Sequence, residues 1–134
     1  MIDNALMLKD AGAMTESGAC TVDGVAKVID LGVAAVECKL LLYLNSVKVS
    51  TGDEKYIIAL EFKKTVAEFA NDEATGPIIY VTIDASETET IGEQTESPQI
   101  VPFGKDKDYR FARLYVEVSG TEPSIDFTAY LDRN

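Results

Sequence analysis

The chain has 134 residues, 46% of them hydrophobic and 26% charged, with no histidine and a formal net charge of −11. That length suits one domain with a single core. The missing histidine removes Ser-His-Asp and Cys-His nucleophile arrangements, histidine zinc sites and the histidine general base. The acidity disfavours nucleic acid and anionic lipid as partners.

The two cysteines, Cys20 and Cys38, have no metal-ligand spacing and read as idle thiols rather than a disulfide. The most apolar run, residues 31–44, is 14 residues long and carries Glu37 and Lys39, too short and too charged for a membrane helix. The start of the chain lacks a basic, apolar leader pattern, so synthesis in the cytoplasm is the default expectation.

Residues 1–18 read as an N-terminal arm. Leu6, Met7 and Leu8 form one apolar cluster, Met14 is a second apolar position, and Gly12 and Gly18 argue against a stable helix. The two clusters suit either a cover for the domain's own core or an insertion into a partner. Residues 22–31, with Val25, Val28, Ile29 and Leu31 ahead of Gly32, predict one or two short strands. Residues 36–49 predict another, with Cys38, Leu40, Leu42 and Leu44 on one face and Leu41 and Tyr43 on the other, a pattern for a strand covered on both sides.

Tyr56, Ile58, Leu60 and Phe62 alternate in a predicted strand that runs to about Lys63, followed by a loop or single turn to Asn71. Ile79, Val81 and Ile83 mark the next strand, 78–84. Residues 85–99 read as a long exposed acidic loop, and Ile100, Val101 and Phe103, interrupted by Pro102, as an edge strand. The last part, residues 109–131, reads as a β-hairpin. Ala112, Leu114, Val116 and Val118 alternate in one arm, and Ile125, Phe127, Ala129 and Leu131 in the other, with Gly120 and Pro123 between. Phe111 breaks the alternation and suggests a bulge or entry bend. The whole is an all-β antiparallel sandwich or jelly roll of about eight short strands, residues 19–134 forming a single domain behind the arm.

Few residues suggest chemistry. Asp106 and Asp108 are spaced as in a calcium loop, but Lys105 and Lys107 flank them and no glycine and glutamate follow. Glu61 and Glu117 are read as a solvated strand face. No catalytic, cofactor or metal residue is assigned, and no enzyme is expected. Between Val66 and Gly104 the chain has eight acids and no lysine or arginine, whereas Lys105, Lys107, Arg110 and Arg113 fall within nine positions. Arg110 and Arg113 therefore suit either internal pairing or an acidic patch on a partner, where the guanidinium fork is favoured.

Short blocks spread over the chain resemble the jelly-roll capsid cement (decoration) proteins of tailed bacteriophages, of the type on Bordetella phage capsids. They are Leu6, Met7 and Leu8 with Asp10, Ala11 and Ala13; then Val28, Ile29, Asp30, Leu31 and Gly32; then Ile58, Ala59 and Leu60. Two more follow: Tyr109, Arg110, Phe111, Ala112, Arg113, Leu114 and Tyr115, and last Leu131, Asp132 and Arg133.

The resemblance implies a structural virion protein on the capsid exterior. It would act as a homodimer or other small homo-oligomer and bridge major capsid proteins, with Leu6, Met7, Leu8, Met14, Arg110 and Arg113 as interface candidates. The alternative is another non-catalytic module, a carbohydrate-binding sandwich or a tail or baseplate component. Tyr43, Tyr80, Tyr115 and Tyr130 are its candidate sugar contacts, although the chain has no tryptophan.

Overall fold

A computed structural model describes residues 6–32, 36–48, 51–70, 73–76, 78–84, 99–105 and 108–133. Twelve strands are present among them. The first six are short: β1 (Met7–Lys9), β2 (Ala13–Met14), β3 (Gly18–Ala19), β4 (Thr21–Val22), β5 (Val25–Ala26) and β6 (Ile29–Asp30). The remaining six are the body of the fold: β7 (Val36–Val47), β8 (Lys55–Lys63), β9 (Ile78–Asp84), β10 (Gln99–Lys105), β11 (Phe111–Ser119) and β12 (Ile125–Arg133). A 3-10 turn, Val66–Glu68, follows β8. The expected acidic loop at 85–99 lies outside the described residues except for Gln99, which opens β10.

The fold is an all-β antiparallel sandwich. Sheet A has the order β1-β12-β7-β10, with β2 also on β12, and sheet B the order β3-β11-β8-β9, with β6 also on β11. All these pairings are antiparallel. Four of them are nested, so that β1 pairs with β12, β3 with β11, β7 with β10 and β8 with β9.

One core fills the space between the sheets. Sheet A supplies Leu8, Cys38, Leu40, Leu42, Ile125, Phe127, Ala129 and Leu131, and sheet B supplies Tyr56, Ile58, Leu60, Phe62, Ala112, Leu114 and Val116. Both cysteines are buried and free.

Residues 109–131 do contain two strands, but not a hairpin. β11 runs in sheet B beside β8, and β12 runs in sheet A beside β7. Alternation reveals that a strand has one buried face without saying which sheet carries it. Both arms face the same core from opposite sides, so residues 120–124 form a crossover between sheets. Phe111 opens β11 in regular register with Lys63, and the irregularity in this part of the fold falls instead between Asp126 and Phe127 on the β7 side.

Residues 7–14 of the 1–18 segment are an edge of sheet A, whereas Gly18 opens β3 in sheet B. β1 and β2 both bond to β12, Leu8 is fully buried in the core, and Leu6 and Met14 pack against it half-buried. Between β4 and β5 the pair Asp23 (φ 54) and Gly24 (φ 79) makes a two-residue turn with both residues left-handed. This is the type I′ geometry that an Asp-Gly pair favours, a turn signal that the strand expectation for residues 22–31 passed over.

Candidate functional site

The cationic corner forms where the chain enters β11. Arg110 grips Asp30 of β6 through both arms of its fork, Nε to Oδ1 at 2.8 Å and Nη2 to Oδ2 at 2.6 Å. The backbone fixes this partner, because Leu31 N–H donates to the Arg110 carbonyl and Phe111 stands opposite Asp30 in register. The pair remains about half exposed, at 47% for Arg110 and 44% for Asp30. Hydrogen bonding to Asp30 raises the Arg110 pKa further above its ordinary value. The Arg110 guanidinium lies over the Phe111 ring and the Lys64 ammonium over the Tyr109 ring. Lys105 and Lys107 belong to the same sequence cluster, but neither side chain is among those described.

Arg113, three residues on, is inside the protein. Its Nε donates to Glu61 Oε1 at 2.6 Å, across the β11–β8 register that sets the two residues opposite each other. Its Nη2 donates to the carbonyls of Ala70 at 2.5 Å and Glu73 at 3.1 Å. The pair is buried, with Arg113 at 7% and Glu61 at 0% side-chain exposure. Glu61 is therefore not part of a solvated face, whereas Glu117 is exposed. The expectation for Glu61 rested on alternation in β8, which says which face a residue takes but not whether later chain lies over that face. Of the two candidate arginines, only Arg110 offers its guanidinium to solvent.

The N-terminal candidates divide in the same way. Leu8 is buried, while Leu6, Met7 and Met14 keep part of their surface. Lys9, which the sequence did not single out, is buried at 3% exposure. Its ammonium donates to the carbonyls of Asp10 (2.9 Å), Gly12 (2.7 Å) and Phe127 (2.9 Å), and lies 4.7 Å from the centre of the Phe127 ring. Burial lowers its pKa, while Cys20, Asp126 and Asp10 pull in the other direction. Asp126 accepts the Gly12 N–H at 2.9 Å. Lys9 and Asp126 thus fasten the β1–β2 turn to β12. Beside this turn is an open cavity of about 200 Å³ lined by Lys9 to Met14, Ala19 and Thr21.

Among the described residues the candidate tyrosines do not make a sugar platform. Tyr115 is buried at 3% exposure. Tyr43 and Tyr130 are half-buried and meet edge to face, with ring centroids 6.0 Å apart and planes at 90°, so they share no flat surface on which a pyranose ring would stack. The Tyr80 side chain lies outside the described residues. Among the described residues no group of three or more His, Cys, Asp or Glu side chains is placed to hold a metal ion. Among the described residues no helix is long and apolar enough to cross a membrane.

No protein-family model matches the chain, and comparison with curated proteins returns no match.

Proposed function

We propose that this protein is a non-enzymatic structural component of a tailed-phage virion, a cement protein that binds the capsid exterior and bridges major capsid proteins. The observation that carries this reading is where the resembling blocks fall. Ile29 and Asp30 of β6, the block from Ile58 to Leu60 in β8 and the block around Phe111 to Tyr115 in β11 stand side by side in sheet B. Met7 and Leu131 belong to β1 and β12, which pair in sheet A. Blocks scattered over the sequence therefore gather into two strand-pairing regions, as a shared framework requires.

The finer fold assignment is a jelly roll. Nested pairing of first strand with last, and so on inward, is what folding one long antiparallel ribbon into two sheets produces. Arg110, with the exposed surface of Leu6, Met7 and Met14, is the proposed contact with the shell. Many copies, each adding a modest area, would give the affinity, and a homodimer or other small homo-oligomer would multiply it.

The test uses purified protein and capsids from the phage or prophage that encodes it. The protein should co-sediment with expanded capsids and raise their melting temperature. Binding to no capsid form, together with retention on a glycan array, would sink the proposal. Arg110→Glu should weaken co-sedimentation by about tenfold while the protein's own melting temperature barely moves, since an exposed rim charge acts mainly on association. A variant that binds normally removes Arg110 from the contact. Deleting residues 1–14 is a poor test of the arm, because it also removes buried Leu8 and Lys9. Met7→Ser is the sharper probe: it should reduce binding several-fold, the loss expected from one side chain in a modest contact, and normal co-sedimentation by that variant would clear Met7 of a contact role.

A further inference from the structure

The outer face of sheet B carries three buried charged side chains, Glu61, Lys63 and Arg113. All three reach into a strap, residues 64–70 and 73–76 of the chain that leaves β8. Lys63 Nζ donates to the Thr75 carbonyl (3.2 Å), the Thr75 hydroxyl (2.6 Å) and the Gly76 carbonyl (2.8 Å). Glu61 Oε2 accepts the Thr75 N–H at 3.0 Å. Arg113 holds the carbonyls of Ala70 and Glu73 while its Nε holds Glu61. Six of these seven bonds involve the strap's backbone or the Glu61–Arg113 pair itself, so the strap is held largely without regard to its own side chains.

Apolar packing adds little to that hold. Val66 is 53% exposed, Ala67 and Glu68 are exposed, and Phe69, Ala70, Ala74 and Thr75 are half-buried. No described strap residue belongs to the core cluster or packs against it as a partly buried hydrophobic. Phe69 meets the sheet through its ring, with the Arg113 guanidinium 5.0 Å from its centre. The other described N–H groups bonded within the strap stay local, from Lys64 to the Glu68 carboxylate, from Glu68 to the Thr65 carbonyl and from Phe69 to the Val66 carbonyl.

We infer that the strap opens and closes as a unit while the sandwich stays folded, with Arg113 as its latch. A latch of buried charges is suited to this. Each fastening group that leaves the strap regains hydration, so the net free energy of the closed state is a small difference between desolvation and pairing. The core, built from other residues, is not disturbed. In the open state the face presents Lys63 and Arg113 against Glu61, a cationic spot on a chain of net charge −11, and the closed strap withholds it. The inference concerns the isolated chain and does not depend on capsid binding.

Native-state hydrogen exchange on the full chain tests it, with the Thr75 amide as the direct reporter of the latch. Thr75 should be protected, yet exchange about tenfold or more faster than the amides of β8 and β11, with little dependence on sub-denaturing urea. Arg113→Lys keeps the charge but loses the fork, and should speed Thr75 exchange about tenfold further while its urea dependence stays small. Thr75 exchanging in step with β8 and β11, with their urea dependence, would overturn the inference. So would a Thr75 amide with no protection, or an Arg113→Lys variant in which Thr75 exchanges no faster than in the wild-type chain. Should Arg113→Lys fail to fold, the urea dependence in the wild-type chain decides the matter alone.

Discussion

Raising the pH above 9 is expected to destabilise this protein steeply, with Cys20 as a main source of the loss. Cys20 is 1% exposed, and its backbone bonds to Leu114 and Lys27 fix it where β3 gives way to β4. Burial pushes its thiol from an ordinary value of 9.0 up to about 12, even though Lys9 and Arg113 pull it partly back. The folded thiol therefore keeps a proton that the unfolded chain releases above pH 9. The stabilisation is fully present below 9 and is lost as the pH rises through 12, at about 1.4 kcal/mol per pH unit, or about 4 kcal/mol across the window. Against a total of about 5–15 kcal/mol for a typical domain, that is a large share.

Two other groups modify the slope. Burial raises the Tyr56 phenol, which adds loss in the same direction at and above its ordinary value of 10.0. Lys9 acts oppositely, because burial lowers its pKa, so the unfolded state binds more protons and stability rises as the pH approaches 10.5. Urea unfolding under reducing conditions at pH 8 and pH 11 checks the balance. Cys20→Ala should lose markedly less between those two values than the wild-type chain does. Parallel losses would remove Cys20 as the cause.

Which segments become the long strands was legible, because β7, β8, β11 and β12 each turn alternate apolar residues to the core. How the strands pair was not. Leu114 and Phe127 present the same period-2 signature whether their strands pair in one sheet or face each other across the core, and it is the second that occurs. The two-residue strands β2 to β6 are shorter than any window in which a period can be recognised, apart from the Asp23-Gly24 turn signal.

The buried charges were the deepest omission. Glu61, Lys63 and Arg113 alternate correctly for an outward face, and only a non-local event, the strap lying over that face, makes it an interior. Lys9 failed to show for a related reason. Its partners are backbone carbonyls in the next turn and in a strand 118 positions away, groups that carry no side-chain signature. Exposed Arg110, by contrast, could be singled out from charge distribution alone, because its basic neighbours stand out in an acidic chain.

The crossover from sheet B to sheet A sets the second large effect: Gly120→Ala should cost about 2–4 kcal/mol, from left-handed strain and a backbone clash together. Gly120 has φ +114, a conformation that side-chain-bearing residues rarely adopt, and an added Cβ would stand 2.9 Å from both the Asp53 carbonyl oxygen and the Glu54 Cα. Neither atom can yield easily. Asp53 Oδ2 accepts the N–H and hydroxyl of Thr121 at 3.1 and 2.6 Å, bonds that also hold its carboxyl below the ordinary range. The Glu54 carboxylate accepts the N–H groups of Thr51 and Gly52, closing the turn ahead of β8. Just beyond, the Tyr56 hydroxyl donates to the Lys48 carbonyl at 2.6 Å and accepts the Ser124 N–H at 2.9 Å, tying the end of the crossover to both sheets. Gly18→Ala is the control. Gly18 has no atom within 4 Å of an added Cβ and no left-handed φ, so its replacement should change stability by about 0.5 kcal/mol or less. Urea midpoints for the two variants give the comparison directly. A Gly120→Ala loss no larger than that of Gly18→Ala would mean that the 51–54 turn shifts to admit a methyl group, and that the crossover is not the rigid tie between sheets that its hydrogen bonds describe.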